Sequence, residues 1–306
     1  MSTHITQSAS KGRMSVPELL SSAKRIVVKV GSSLLLDDSK SEDPLRREWL
    51  NLLAADIARL KAQGKEVIVV SSGAIGLGWA RLGYKSRPSR LDQRQASAAA
   101  GQIELAAAWS NVLAARSLNA AQILLTQPDL ENRTSYLNAR GKLRALIEQG
   151  AIPIINENDT TATTETRFGD NDRLAARVAG LVGAEVLLLL SDVDGLYTAP
   201  PGTKGAEHIP HVGLIDERIE ALAGPSAAGS PGSGGMVTKI QAAQIAVEGG
   251  THMLIASGRV MAPITALLEG ARATIFAAQD DPHTKRKSWL RGMMAPQGKL
   301  HLDQGA

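Results

Sequence analysis

The chain has 306 residues, 34 basic against 30 acidic, and this near-balance gives no ground for a nucleic-acid-binding surface. Hydrophobic residues make up 43% and aromatics only 3%, so the core must be built from Val, Ile, Leu and Ala. The absence of Cys excludes disulfides, thiolate nucleophiles and cysteine metal sites, and no apolar run reaches the roughly 18 residues of a membrane-spanning helix.

The first residues are rich in Ser, Thr, Lys and Arg, with Glu18 the one acid. They lack the apolar stretch of a secretory signal, so residues 1–23 are expected to be a flexible leader, an organelle transit peptide being the alternative. Apolar runs of strand length follow at 25–30, 66–71, 121–126, 152–156, 185–191, 252–257 and 273–276. Between the first two, Leu45, Trp49, Leu52, Leu53, Ile57 and Leu60 recur at helical spacing, and Gly64 stands where a helix commonly ends. Further helices are expected over 91–117, 136–148, 171–182 and 238–247. A β-hairpin is expected at 160–168, and a loop at 223–235, where the sequence reads AGPSAAGSPGSGG. Strand–helix alternation implies right-handed crossovers and an α/β fold: a three-layer αβα sandwich around a central, mainly parallel open sheet. Residues 24–279 form this domain, and 280–306 a basic tail.

Polar residues that could carry chemistry gather where strands stop, and in open α/β sheets ligands sit at those carboxyl ends. The run of residues 156–172, NENDTTATTETRFGDND, crowds short amides and carboxylates behind an apolar strand; it also fits an ordinary turn-rich loop. Lys29 lies inside the apolar strand that ends VVKVGSS. Burying its ammonium without a partner would cost several kcal/mol, so it either reaches over the strand end beside Gly31 or lies on a solvated edge. Ser71, Ser72 and Gly73 end the second strand just before a helix, whose first N–H groups suit an anion; alternatively the glycines of SSGAIGLG serve close packing. Asp192 and Asp194 could face Mg²⁺ or a ribose, or simply make a turn. The glycines of SGGMVTK with Lys239 have the physics of a phosphate cradle, although no Walker A spacing is present; a solvated lysine is the other reading. The six His are scattered without the spacing of a zinc site, and no G-x-S-x-G elbow supports a serine hydrolase.

The ordered set VVKVGSS, SSGAIGLG, INENDTTAT, FGDNDRLAA, LLLLSDVDGLYT and SGGMVTKIQAA resembles the amino acid kinase family, most closely its glutamate-phosphorylating branch. That resemblance spans residues 24–278. It implies transfer of the ATP γ-phosphoryl group to the side-chain carboxylate of L-glutamate, the first step of proline biosynthesis, with Mg²⁺ on the nucleotide. Lys29 and Lys239 would flank the moving phosphoryl, with Asp172 between them. Ser72, Gly73, Asp159, Asp170 and Asn171 would form the glutamate site. Gly31, Ser191, Asp192, Ser233, Gly234, Gly235, Met236, Val237 and Thr238 would join the two lysines in holding the nucleotide. The resemblance also implies a cytoplasmic homo-oligomer, dimer or tetramer, inhibited by L-proline. The tail resembles the opening of a PUA-like domain that is cut short.

Overall fold

The computed structural model describes residues 14–37, 39–40, 43–162, 170–224 and 235–278. The first half runs α1 (Val16–Ser22), β1 (Arg25–Val30), α2 (Ser32–Leu35), α3 (Arg47–Ala62), β2 (Glu66–Ser71), α4 (Ala74–Arg81) and α5 (Leu91–Ala114). Then come β3 (Ala120–Leu125), α6 (Gln127–Glu131), α7 (Arg133–Glu148), β4 (Ile152–Glu157), α8 (Asn171–Val182) and β5 (Val186–Ser191). The remainder is β6 (Leu196–Tyr197), β7 (His208–Ile209), β8 (His211–Val212), α9 (Glu217–Ala221), α10 (Met236–Glu248), β9 (His252–Ser257), α11 (Pro263–Leu268) and β10 (Ala273–Phe276).

Eight strands form one sheet in the order β3-β4-β2-β1-β5-β9-β10-β8, while β6 and β7 make a separate ribbon. Pairing is parallel from β3 through β9; β10 then runs antiparallel to β9, and β8 parallel to β10. The central strands are buried on both faces, which is why they read as unbroken apolar runs. Side chains alternate between the faces. Ile26, Val28 and Val30 of β1 join a core with Trp49, Leu53, Trp109 and Leu267, under α1, α3, α4, α5 and α11. Val27, Ile68, Leu187 and Leu189 join the opposite core with Leu143, Leu174, Val178 and Ala243, under α7, α8 and α10. The expected three-layer sandwich is therefore present, and the parity of β1 turns Lys29 toward α8 and α10.

One local feature departs from expectation. Residues 16–22, expected within a flexible leader, form α1: Ser15 and Glu18 close a reciprocal capping box, and Leu19 and Leu20 are buried. Of the hairpin expected at 160–168, residues 163–168 lie outside the described residues; Asp159, Thr160 and Thr161 form a turn. Likewise, most of the loop expected at 223–235 and the tail at 280–306 fall outside the described residues. The helices α4 and α5 cross with backbones almost touching. A Cβ placed on Gly78 would lie 1.9 Å from the Ser97 carbonyl oxygen, and one on Gly101 1.9 Å from that of Ala74.

Candidate active site

The carboxyl ends of β4, β2, β1 and β5 lie side by side in the sheet, and the polar residues of the strand ends collect there. At the centre stands Asp172, in the first turn of α8 and fully buried. Its Oδ1 lies 2.5 Å from the Lys29 Nζ, and its Oδ2 accepts a hydrogen bond from the Lys239 Nζ at 3.1 Å. Both lysines are at least nine-tenths buried. Lys29 comes from β1 and Lys239 from the first turn of α10, so three separated stretches of chain deliver one acid between two ammonium groups.

Burial opposes the charged form of Lys29, but Asp172, Asp170 and Asp192 outweigh it and hold its pKa above the usual lysine value. Burial likewise works against an ionised Asp172, and Lys29 and Lys239 overcome it, so its carboxyl is held below the usual range. All three groups counted together carry one net positive charge, with little water to screen it. Such a site suits an anion that needs neutralising.

Around this triad, Gly31 follows β1, and a Cβ there would lie 3.7 Å from the Lys29 Nζ; glycine keeps that flank of the ammonium open. Asp170 is the N-cap of α8: its Oδ1 accepts from the Asp172 backbone N–H, while its buried Oδ2 has no hydrogen-bond partner among the described residues. Asn171 donates its amide to the Ser72 Oγ at 2.7 Å and the Asn156 Oδ1 at 2.9 Å. Gly73 caps α4 at φ 120°, a conformation that only glycine adopts without strain. Ser191 ends β5 and donates its hydroxyl to Asp192, whose backbone carbonyl accepts from Arg259. Gly235, Met236, Val237 and Thr238 form the cap and first turn of α10, next to Lys239. Asp159 sits in the turn after β4. Ser233 and Gly234, expected at the nucleotide, lie outside the described residues.

Two residues of α5 were not singled out by the sequence. Gln102 accepts from the Asn156 amide at 2.9 Å, and Trp109 donates its indole N–H to the Ser71 Oγ at 2.9 Å. Neither carries a sequence signal, since an isolated Gln or Trp on an Ala-rich helix reads as surface or core.

No group of three or more His, Asp or Glu able to hold a metal ion occurs among the described residues. A Mg²⁺ carried on nucleotide phosphates needs only one or two protein carboxylates. Asp170, with a buried oxygen that has no partner among the described residues, fits that lesser demand. No helix among the described residues is long and apolar enough to cross a membrane.

Comparison with known proteins bears on the family and the fold. The family model described as "Amino acid kinase family" matches residues 24–257. A glutamate 5-kinase of Bradyrhizobium diazoefficiens is 53% identical over 294 residues, covering 96% of this chain and 78% of the relative. One from Rhodopseudomonas palustris strain TIE-1 is 55% identical over 285 residues, covering 92% and 75%. Among solved structures, the carbamate kinase of Giardia lamblia bound to AMP-PNP aligns at a TM-score of 0.58 and 17% identity, covering 85% of this chain and 100% of that one. The UMP kinase of Ureaplasma parvum aligns at 0.56 and 18%, covering 83% and 98%. These two likenesses show the fold, and the sequence relatives show the branch: the chain belongs to the amino acid kinase family, among its glutamate 5-kinases.

Proposed function

We propose that this chain transfers the γ-phosphoryl group of ATP to the side-chain carboxylate of L-glutamate, giving L-glutamyl 5-phosphate and ADP. The observation that carries the reading is the buried Lys29–Asp172–Lys239 triad at the carboxyl ends of the sheet, in a chain 53% identical to a glutamate 5-kinase. A carboxylate acceptor is already ionised at neutral pH, because its pKa is about 4.3. It needs no general base. What the transfer needs is positioning and positive charge on the migrating group. A glutamate oxygen forms the new bond to phosphorus as the bond from phosphorus to the ADP oxygen breaks. Lys29 and Lys239 neutralise the equatorial oxygens and the departing ADP, and Asp172 keeps the two ammonium groups from repelling each other out of place.

Mg²⁺ on the phosphates would supply further charge neutralisation, with Asp170 the carboxylate beside it. Ser72, Gly73, Asn171 and Asp159 hold glutamate. Ser191, Asp192 and the start of α10 hold the nucleotide, together with Ser233 and Gly234. The further readings of a cytoplasmic homo-oligomer inhibited by L-proline are supported by resemblance, and light scattering and an L-proline titration check the last two. The primary test is acyl phosphate formation, trapped with hydroxylamine, in the presence of Mg-ATP. Hydroxamate should form with L-glutamate and not with L-aspartate. Equal yields with and without L-glutamate would end the proposal.

A further inference from the structure

Resting on that reading of the site, we infer that Gln102, outside the site on α5, completes the hydrogen-bond chain that holds the polarity with which Asn171 and Ser72 meet an α-amino acid. The Asn171 amide nitrogen faces three acceptors: the Ser72 Oγ at 2.7 Å, the Asn156 Oδ1 at 2.9 Å and the Ser71 carbonyl at 3.5 Å. The carbonyl of Ser71 can only accept. It therefore fixes the nitrogen of Asn171 on that side, and the group of Asn156 facing Asn171 has to be its oxygen. The nitrogen of Asn156 is then turned away, toward Gln102, and needs an acceptor; the Oε1 of Gln102 provides it at 2.9 Å. Asn156 is 4% exposed, so a mismatched pair of donors along this chain would have no water to relieve it.

The consequence falls on the ligand. With both amide hydrogens of Asn171 directed at protein acceptors, its Oδ1 is left as an acceptor, suited to an ammonium group. With its oxygen receiving from Asn171, the Ser72 hydroxyl is left to donate, suited to a carboxylate. An acceptor and a donor on adjacent residues match the ammonium and carboxylate of one α-carbon. Gln102 touches neither group of the ligand; it is a positioning residue that satisfies Asn156 in the orientation the Ser71 carbonyl selects, and so keeps Asn171 in it.

The test is steady-state kinetics of three variants against L-glutamate and ATP. Gln102→Glu presents acceptors alone and so keeps one facing Asn156, and its KM for glutamate stays within about threefold of the wild type. Gln102→Lys presents only donors, forces Asn156 to turn its oxygen outward and sets nitrogen against nitrogen at Asn171. Its KM for glutamate rises about tenfold or more, the loss of one charge-assisted hydrogen bond, with the KM for ATP unchanged. Adding Asn156→Asp to Gln102→Lys restores an acceptor on both sides and recovers most of the loss, a rescue that a packing role for Gln102 would not show. Should Gln102→Lys fail to fold, Gln102→Leu carries the test, with a KM for glutamate at least threefold raised. An unchanged KM for glutamate in Gln102→Lys or Gln102→Leu, or no rescue in the double variant, overturns the inference while the proposed function stands. A wild type inactive toward glutamate overturns both.

Discussion

A carboxylate between two ammonium groups should make each lysine individually dispensable to the fold and, on the proposed reading of the site, indispensable to the reaction. Removing Lys29 leaves Asp172 paired with Lys239, and the reverse, so neither loss strands a buried charge. Lys29→Met and Lys239→Met should each keep a wild-type far-UV circular dichroism spectrum while kcat falls about 10²–10³-fold, the usual effect of losing one preorganised donor to transition-state charge. A kcat within about fivefold of wild type in either would show that the lysine does not face the migrating phosphoryl. How much of this was legible differs by residue. The sequence made Lys29 suspicious by itself, as a cation in an apolar strand. Lys239 stood out beside the glycines of SGGMVTK, Asp172 was ordinary at its position, and only resemblance joined the three, because their meeting depends on which helices cover which face of the sheet. Gln102 was beyond reach for the same reason: its partner Asn156 is brought to it by the packing of α5 on β4.

At the scale of elements, strands were legible to within about a residue at each end, since a doubly buried parallel strand is a short apolar block bounded by turn residues. Helix starts were less so. The helix expected from 136 begins at Arg133, because Asn132 caps it by accepting from the Thr134 and Ser135 amides. The two-residue strands β6, β7 and β8 have no period to detect, and no residue pattern marked that β10 runs antiparallel to β9. The crossing of α4 and α5 is where an element most directly serves the site, because α5 carries both Gln102 and Trp109. Gly78→Ala would place a methyl 1.9 Å from the Ser97 carbonyl and 2.6 Å from the Gly101 nitrogen, and backbone atoms cannot step aside as side chains do. The helices must part, at a cost of about 1–3 kcal/mol or more. Gly78→Ala should lower the melting temperature and raise the KM for glutamate, leaving that for ATP nearly unchanged. Gly141→Ala on α7, where a Cβ meets nothing within 4 Å, is the control and should stabilise by about 0.5–1 kcal/mol. Equal melting temperatures for the two variants would refute the close-crossing argument.

For the molecule as a whole, the active site interrupts a core that otherwise contains almost only aliphatic side chains. Below the carboxyl ends of β1 and β5, the layer shared with α8 and α10 is Val27, Leu187, Leu189, Leu174, Val178 and Ala243; above it lies the charged triad. Buried ion groups of this kind seldom add net stability, because desolvation consumes what the Coulomb attraction returns. Stripping one partner is a different matter: Asp172→Leu leaves two buried ammonium groups facing each other and should destabilise by about 3–5 kcal/mol. The triple variant Lys29→Met, Asp172→Leu, Lys239→Met removes the charges together and fills their space with carbon. It should be inactive, yet as stable as the wild type or more so in urea denaturation at pH 7. Its pH response should differ in a set direction. The depressed pKa of Asp172 stabilises the wild type above the unfolded value of about 3.9 and is lost as pH falls through the lower folded value. The raised pKa of Lys29 stabilises below the unfolded value of about 10.4 and is lost only as pH rises through the still higher folded value. Between roughly pH 4 and 10, then, Asp172 and Lys29 contribute no slope to stability. Below that window the wild type should lose stability more steeply than the triple variant. A triple variant several kcal/mol weaker than the wild type at pH 7 would mean that the triad holds the layers together and is not a cost borne for catalysis.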